Sequence, residues 1–268
     1  MSQFFTPEAA VRFMFDLVDF NPLWKVMDPA CGDGAFMRIA LERGAAAVAG
    51  IDKDPGAIGG ARQSLRAFDG RYCLYCQDGL DEVSDASGFW AGHYDLVIGN
   101  PPFASSKNRI RENYILRNFT LAQTEEAVET LVLPGLDKEL HPFRARASQV
   151  IEVLFLERFI RLAKPGGKVA IILPEGIFAN SNLRYVREWL VNNFTVRVIV
   201  GLPRETFKET GTMAKTAILY LEKKRPPADH MVLLSEVTEI DLHDNNNPQL
   251  AKVLQAFGRS ESEGRPRK

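Results

Sequence analysis

The sequence predicts a doubly wound α/β fold, with a mostly parallel sheet of seven strands and helices on both faces. Three observations predict it. Apolar runs of strand length alternate with helical patterns over most of the 268 residues, the mark of βαβ units. The helix-ending string "LAKPGGK" (162–168) runs straight into a β pattern. Polar residues suited to ligand contact follow the first four strands, where open α/β sheets hold their ligands.

The elements follow in order. "QFFTPEAAVRF" opens a helix over Pro7–Val18, with Thr6 placed as its N-cap and Pro7 in its first turn. The first strand, Trp24–Met27, leads into "DPACGDGAF" and a helix over Ala35–Arg43. This turn holds Asp28, Pro29, Ala30, Cys31, Gly32, Asp33 and Gly34, and lacks the spacing G-x-G-x-x-G of a dinucleotide fingerprint. Asp28 and Asp33 would repel a pyrophosphate at that helix start. They suit a ligand with a positive end, such as the ammonium and sulfonium of S-adenosylmethionine, and Gly32 and Gly34 let backbone approach it. Asp33 can alternatively serve as a helix cap.

The second strand, Ala47–Ile51, ends in Asp52, 24 residues after Asp28. A carboxylate there can accept both ribose hydroxyls of an adenosine. Lys53 follows it; Asp54 and Pro55 start a helix to Phe68. The third strand, Tyr72–Cys76, is followed by Asp78-Gly79, an acceptor for an adenine amino group or an ordinary Asp-Gly turn. The fourth, Tyr94–Ile98, runs into Asn100-Pro101-Pro102-Phe103.

That last string fits one chemistry well. The exocyclic nitrogen of a nucleobase is a poor nucleophile because its lone pair is delocalised into the ring. Acceptors aimed at its two hydrogens draw it towards a tetrahedral form and localise the pair. The Asn100 side-chain oxygen and the Pro101 carbonyl are candidate acceptors, held rigid by the two prolines. Phe103 offers a face for base stacking, worth about 1–3 kcal/mol.

Ala104 to Ala147 shows no period and reads as a long substrate-facing loop, with Lys107, Arg109, Arg111 and Arg117 against Glu112 in its first part. A helix over Ser148–Ala163, strands at Lys168–Leu173, Thr195–Val200 and Thr216–Leu221, and a helix over Leu183–Asn193 complete residues 1–223 as the expected catalytic core. Residues 224–268 read as an extension, with "MVLLSEV" available as an edge strand, "PQLAKVLQAFG" as a helix and a disordered tail.

Taken together, "FFTP", "DPACGDGAF", "GIDKDP", "QDG" and "NPPF" resemble, in this order, the motifs of γ-class N6-adenine DNA methyltransferases, especially modification subunits of type I restriction-modification systems. "IEVLFLERFIRLAKPGGKVAIILPEGIF" and "FKETGTMAKTAILYLEK" resemble later segments of the same subunits. The resemblance implies a Rossmann-like class I methyltransferase fold and transfer of a methyl group from S-adenosylmethionine to the N6 amine of a flipped adenine in DNA. It places Phe5, Thr6 and Pro7 over the methionine end of the cofactor, with the three strand-end acids and Gly79 around the rest of it. Lys53 stands where an apolar residue often packs on the cofactor adenine; its aliphatic stem can substitute. The resemblance also implies DNA as partner, with sequence reading by a separate specificity subunit or a C-terminal target-recognition region absent here. The same motif serves protein glutamine and RNA adenine methylation, and a non-catalytic scaffold that binds the cofactor is a third reading.

Composition agrees with a globular chain. It is 46% apolar and 25% charged, and no run of about 18 apolar residues predicts a membrane span. No signal peptide is legible and three cysteines make no disulfide framework, so a cytoplasmic setting is expected. A net charge of −1 argues for weak DNA binding by the chain alone. Cys73-x-x-Cys76 has metal-like spacing but lies in a strand without a second pair, so no metal is expected; His93 and His141 are isolated.

Overall fold

Eight strands, one more than expected, form the central sheet of the computed structural model, which describes residues 6–81, 91–103, 109–124, 144–210, 214–241 and 247–263. They are β1 Lys25–Asp28, β2 Ala47–Asp52, β3 Tyr72–Cys76, β4 Tyr94–Gly99, β5 Ala163–Pro174, β6 Thr195–Leu202, β7 Thr216–Glu222 and β8 Leu233–Glu236. Their order is β8-β6-β7-β5-β4-β1-β2-β3. Only β7 runs antiparallel, paired with β5 and β6; the other pairs are parallel. The eighth strand is the edge strand legible in "MVLLSEV", added parallel to β6. The order reverses between β1 and β4, the switch point where such sheets open a crevice at their carboxyl ends.

Both faces of the sheet are covered, which is why its central strands read as continuous apolar runs. Side chains alternate between two cores. Val26, Leu96 and Ile98 face one layer with α1 (Glu8–Leu17), α2 (Ala35–Glu42) and α3 (Pro55–Leu65). Met27, Val97 and Ile171 face the other, with α4 (Ile151–Leu162) and α5 (Arg184–Asn193). A last helix, α6 (Pro248–Glu263), packs Leu250 and Val253 into the first layer.

α4 is the organising helix of the second layer, buried on nearly every side. Two of its charged residues hold backbone. The Glu157 carboxylate, 1% exposed, accepts from the N–H groups of Thr120 and Leu121 at 2.8 Å each. Arg158 donates to the carbonyls of Leu80 (2.8 Å) and Asp81 (2.6 Å) and lies over the Phe119 ring. Such partners offset much of the cost of burying a charge.

Three expectations need correction. Part of the stretch read as a structureless connection is packed. Residues 109–110 pair with 149–150, residues 123–124 with 144–145, and Leu116, Phe119 and Ala122 are fully buried under α4. Short polar interruptions hid this period; residues 104–108 and 125–143 lie outside the described residues. Secondly, β5 starts at Ala163, not Lys168. Tyr94 pairs Ala163 and Leu96 pairs Lys168, so the Pro-Gly-Gly segment bulges out of the ladder, with Gly166 at φ 73°. Thirdly, α1 begins one residue late. Pro7 occupies its N-cap position and the Pro7 carbonyl accepts from Ala10 and Val11, so Thr6 does not cap the helix. Among the described residues no helix is long and apolar enough to cross a membrane.

Candidate active site

A cavity of about 390 Å³ opens where β1, β2, β3 and β4 end. Its wall gathers most of the residues singled out by the sequence: Thr6, Asp28, Pro29, Ala30, Cys31, Gly32, Asp33, Asp52, Lys53, Asp78, Gly79, Asn100, Pro101 and Pro102. Ala35, Phe36, Asp54 and Phe155 also line it and were not expected there. Phe155 comes from α4, whose apolar residues lie on every face, so no periodicity marks the one that turns to the cavity.

The turn after β1 is built on its carboxylates. Asp28, the last residue of β1, is 1% exposed. Its Oδ1 accepts from the Ala30 N–H at 3.0 Å, while Oδ2 is buried with no partner. Burial pushes this carboxyl up to about 8, opposed by the Ala30 hydrogen bond and reinforced by the charges of Asp52 and Asp33. It lies against the end of β4, where a Cβ on Gly99 would collide with it. Asp33 accepts from the Ala35 N–H at 3.3 Å, but the N-cap of α2 is Gly34 and no side chain caps the helix; Asp33 faces the cavity. Burial raises its carboxyl too. Gly34 supplies the left-handed turn into α2, at φ 83°, and does not line the cavity. The Cys31 thiol is buried and pushed up by desolvation, so it serves as packing.

Asp52 ties the first two strand ends together. Its Oδ2 accepts from the Gly32 N–H at 3.0 Å and its Oδ1 from the Asp54 N–H at 2.9 Å. Each oxygen keeps a lone pair, so the carboxylate can still accept two hydroxyls. Asp54 caps α3 by accepting from the Gly56 N–H at 2.8 Å, as the Asp-Pro string implied. Asp78 accepts from the Leu80 N–H at 3.0 Å and faces the Lys53 ammonium at 3.7 Å. Among the described residues, Lys53 is the only Lys or Arg in a wall that carries five aspartates.

After β4, Asn100 is fixed from an unexpected side. Its Nδ2 donates to the Thr6 hydroxyl at 3.1 Å, across 94 residues of chain. Its Oδ1 is buried and has no partner. Pro101 and Pro102 continue the cavity wall. Phe103 departs from expectation. It is only 6% exposed, belongs to the first-layer core, meets Phe207 edge to face at 6.1 Å, and is outside the wall. Its ring is held by core packing, so it presents no free face to the cavity here. Pro7 stands behind Thr6 at the start of α1 and is outside the wall, and Phe5 lies outside the described residues.

Cys73 and Cys76 are three apart on β3 and so point to opposite faces of it. Among the described residues no group of three or more His, Cys, Asp or Glu is placed to hold a metal ion.

Comparison with known proteins places this site in context. A family model described as N-6 DNA Methylase matches residues 1–262. The methylase subunit of type I restriction enzyme EcoEI from Escherichia coli is 24% identical over 242 residues, covering 84% of this chain and 43% of that protein. Type II methyltransferase M.HincII from Haemophilus influenzae is 22% identical over 200 residues, covering 75% and 33% respectively. The crystal structure of the M protein of type I restriction enzyme EcoKI superposes with a TM-score of 0.61 at 19% identity, covering 97% of this chain and 53% of that one. The chain thus spans less than half the length of these two sequence relatives.

Proposed function

The chain belongs to the N-6 DNA methylase family, and from that premise we propose that it carries the catalytic core that methylates the N6 amine of adenine in DNA, using S-adenosylmethionine. The observation that carries the proposal is the Asn100 carboxamide, whose Oδ1 is buried and unpartnered beside an acid-lined cavity. A buried acceptor left without a partner costs about 1–3 kcal/mol, and a substrate N–H would relieve that cost.

The cavity residues fit the cofactor. The orphaned Asp28 Oδ2, with Asp33 nearby, suits a cationic ligand and not a phosphate. Asp52 has lone pairs to spare for a pair of hydroxyls, and Asp78 with the Lys53 stem and Phe155 can hold an adenine. When bound, S-adenosylmethionine supplies a methyl group on a positively charged sulfur. Asn100 then acts on the acceptor. Its oxygen accepts a hydrogen bond from one amine N–H, the Pro101 carbonyl accepts from the other, and the nitrogen lone pair leaves conjugation with the ring. Neither group removes a proton; water takes it once nitrogen carries the methyl group. The adenine must leave the duplex to reach this depth, at a cost of a few kcal/mol.

DNA and a specificity subunit, or a further target-recognition region, are the partners this reading requires, because no residue of the cavity distinguishes one adenine from another. The test is transfer from labelled S-adenosylmethionine to duplex DNA, RNA and protein, with and without such a partner. We expect label in DNA adenine. Asn100→Ala should lower transfer by at least about 100-fold while cofactor binding, read by calorimetry, stays within about threefold. Label in protein glutamine or in RNA alone would overturn the reading, and no cofactor binding by the wild type would overturn the enzyme.

A further inference from the structure

Thr6 was expected at the cofactor or as a helix cap, and it does not cap. Its hydroxyl instead accepts a hydrogen bond from Asn100 Nδ2 at 3.1 Å. We propose that Thr6 is the positioning residue of the reaction: it fixes the Asn100 carboxamide in the one orientation that turns Oδ1 towards the substrate. This rests on the reading of Asn100 given above.

A carboxamide can rotate by half a turn and exchange its donor for its acceptor. An Asn100 with Nδ2 facing the amine would present hydrogens to hydrogens and could not localise the lone pair. Within the cavity wall, Thr6 supplies the only described side-chain contact to this amide. A hydroxyl can accept from Nδ2 or donate to Oδ1; the aspartates of the cavity that Thr6 lines draw its proton away from Asn100, so it accepts from Nδ2 and leaves Oδ1 unpartnered.

Thr6 can serve this way only if its own place is fixed. Pro7 restricts the backbone at the next residue, and α1 begins at Glu8. Glu8, Arg12, Glu42 and Arg38 then close a ring of four ion pairs. Glu8 meets Arg12 at 2.7 Å and Arg38 at 2.8 Å, and Glu42 meets Arg12 at 3.2 Å and Arg38 at 2.5 Å. The ring joins the first turn of α1 to α2, the helix that follows the Gly32–Gly34 turn. The residue that orients Asn100 is therefore tied to the helix that leaves the cavity wall.

The experiment compares wild type, Thr6→Val, Thr6→Ser and Asn100→Ala, as the full protein with its partners. Steady-state transfer should show Thr6→Val with kcat lowered about 10- to 100-fold and the cofactor Kd within about threefold of wild type, the signature of lost orientation. Thr6→Ser, which keeps the acceptor, should restore most of kcat. A second reading does not depend on turnover. The Asn100 carboxamide protons, assigned by their loss in Asn100→Ala, should exchange slowly in wild type and Thr6→Ser and rapidly in Thr6→Val. Thr6→Ala, which only deletes atoms, repeats the test if the valine variant unfolds. An active wild type beside a valine or alanine variant with unchanged kcat and unchanged carboxamide exchange overturns the positioning role. An inactive wild type with its partners present overturns the proposed function instead.

Discussion

Asp28 sits at an unresolved conflict between folding and binding. Its carboxyl is buried, one oxygen lacks a partner, and its acidity is shifted up to about 8 from 3.8. Because the folded value is raised, the folded chain holds a proton there that the unfolded chain releases. Its contribution therefore favours folding more as pH falls from about 8 towards 4, and that gain is lost as pH rises through the folded value. A cationic ligand favours the ionised form, so binding of S-adenosylmethionine below pH 8 should expel a proton and tighten as pH rises. Calorimetry in two buffers of different ionisation enthalpy measures this directly; an identical heat in both would sink the coupling. Asp28→Asn should trade one property for the other. We expect cofactor affinity to fall about 10- to 100-fold, the worth of a hydrogen bond to a charged group. Above pH 8 the same variant should melt higher by about 2–10 °C, since the uncompensated buried charge is gone.

Among the elements, the strand ends carried most of what the sequence could tell. Asp28, Asp52, Asp78 and Asn100 are legible because each ends a strand or follows its end within two residues, and a parallel sheet brings consecutive strand ends together whatever the packing details. Long-range partners were not legible. The Thr6–Asn100 bond spans 94 residues, Phe155 turns from a helix buried all round, and the Phe103 ring is claimed by Phe207. Such choices are settled by packing, which leaves no local period. The ring of Glu8, Arg12, Arg38 and Glu42 is of the same kind, and it makes the attachment of α1 sensitive to acid. Arg38 first, then Arg12, holds the Glu8 carboxyl below its ordinary 4.5. A depressed value contributes stability above the unfolded one, and that contribution fades as pH falls below about 4.5 through the folded value. Glu8→Gln should cost about 0.5–1 kcal/mol near pH 7, since these side chains are partly exposed, and almost nothing near pH 3. Amide exchange in α1, measured at both pH values, would expose an error: equal protection loss at pH 3 and pH 7 means the ring does not hold the helix.

On the scale of the whole molecule, charge bears on how this chain can meet the duplex proposed as its substrate. Lys and Arg number 33 and Asp and Glu 34, and the cavity itself is walled by five aspartates. A duplex attracts proteins chiefly through phosphate neutralisation and the counterions it releases. A near-neutral molecule with an acidic centre gains little from that, yet the proposed reaction needs an adenine pulled out of the stack. The energy for flipping must therefore come from contacts made elsewhere in an assembly. We expect the isolated chain to bind a 30-base-pair duplex no more tightly than about 10⁻⁴–10⁻⁶ M, with no preference for sequence. Joined to the specificity partner proposed for it, it should bind a cognate site about 10³-fold tighter or more, with a steeper dependence on salt as phosphate contacts are added. Fluorescence anisotropy over a salt series reads both quantities. Tight, sequence-selective binding by the chain alone would mean that a reading surface lies within these 268 residues, and the division of labour argued from its charge would be wrong.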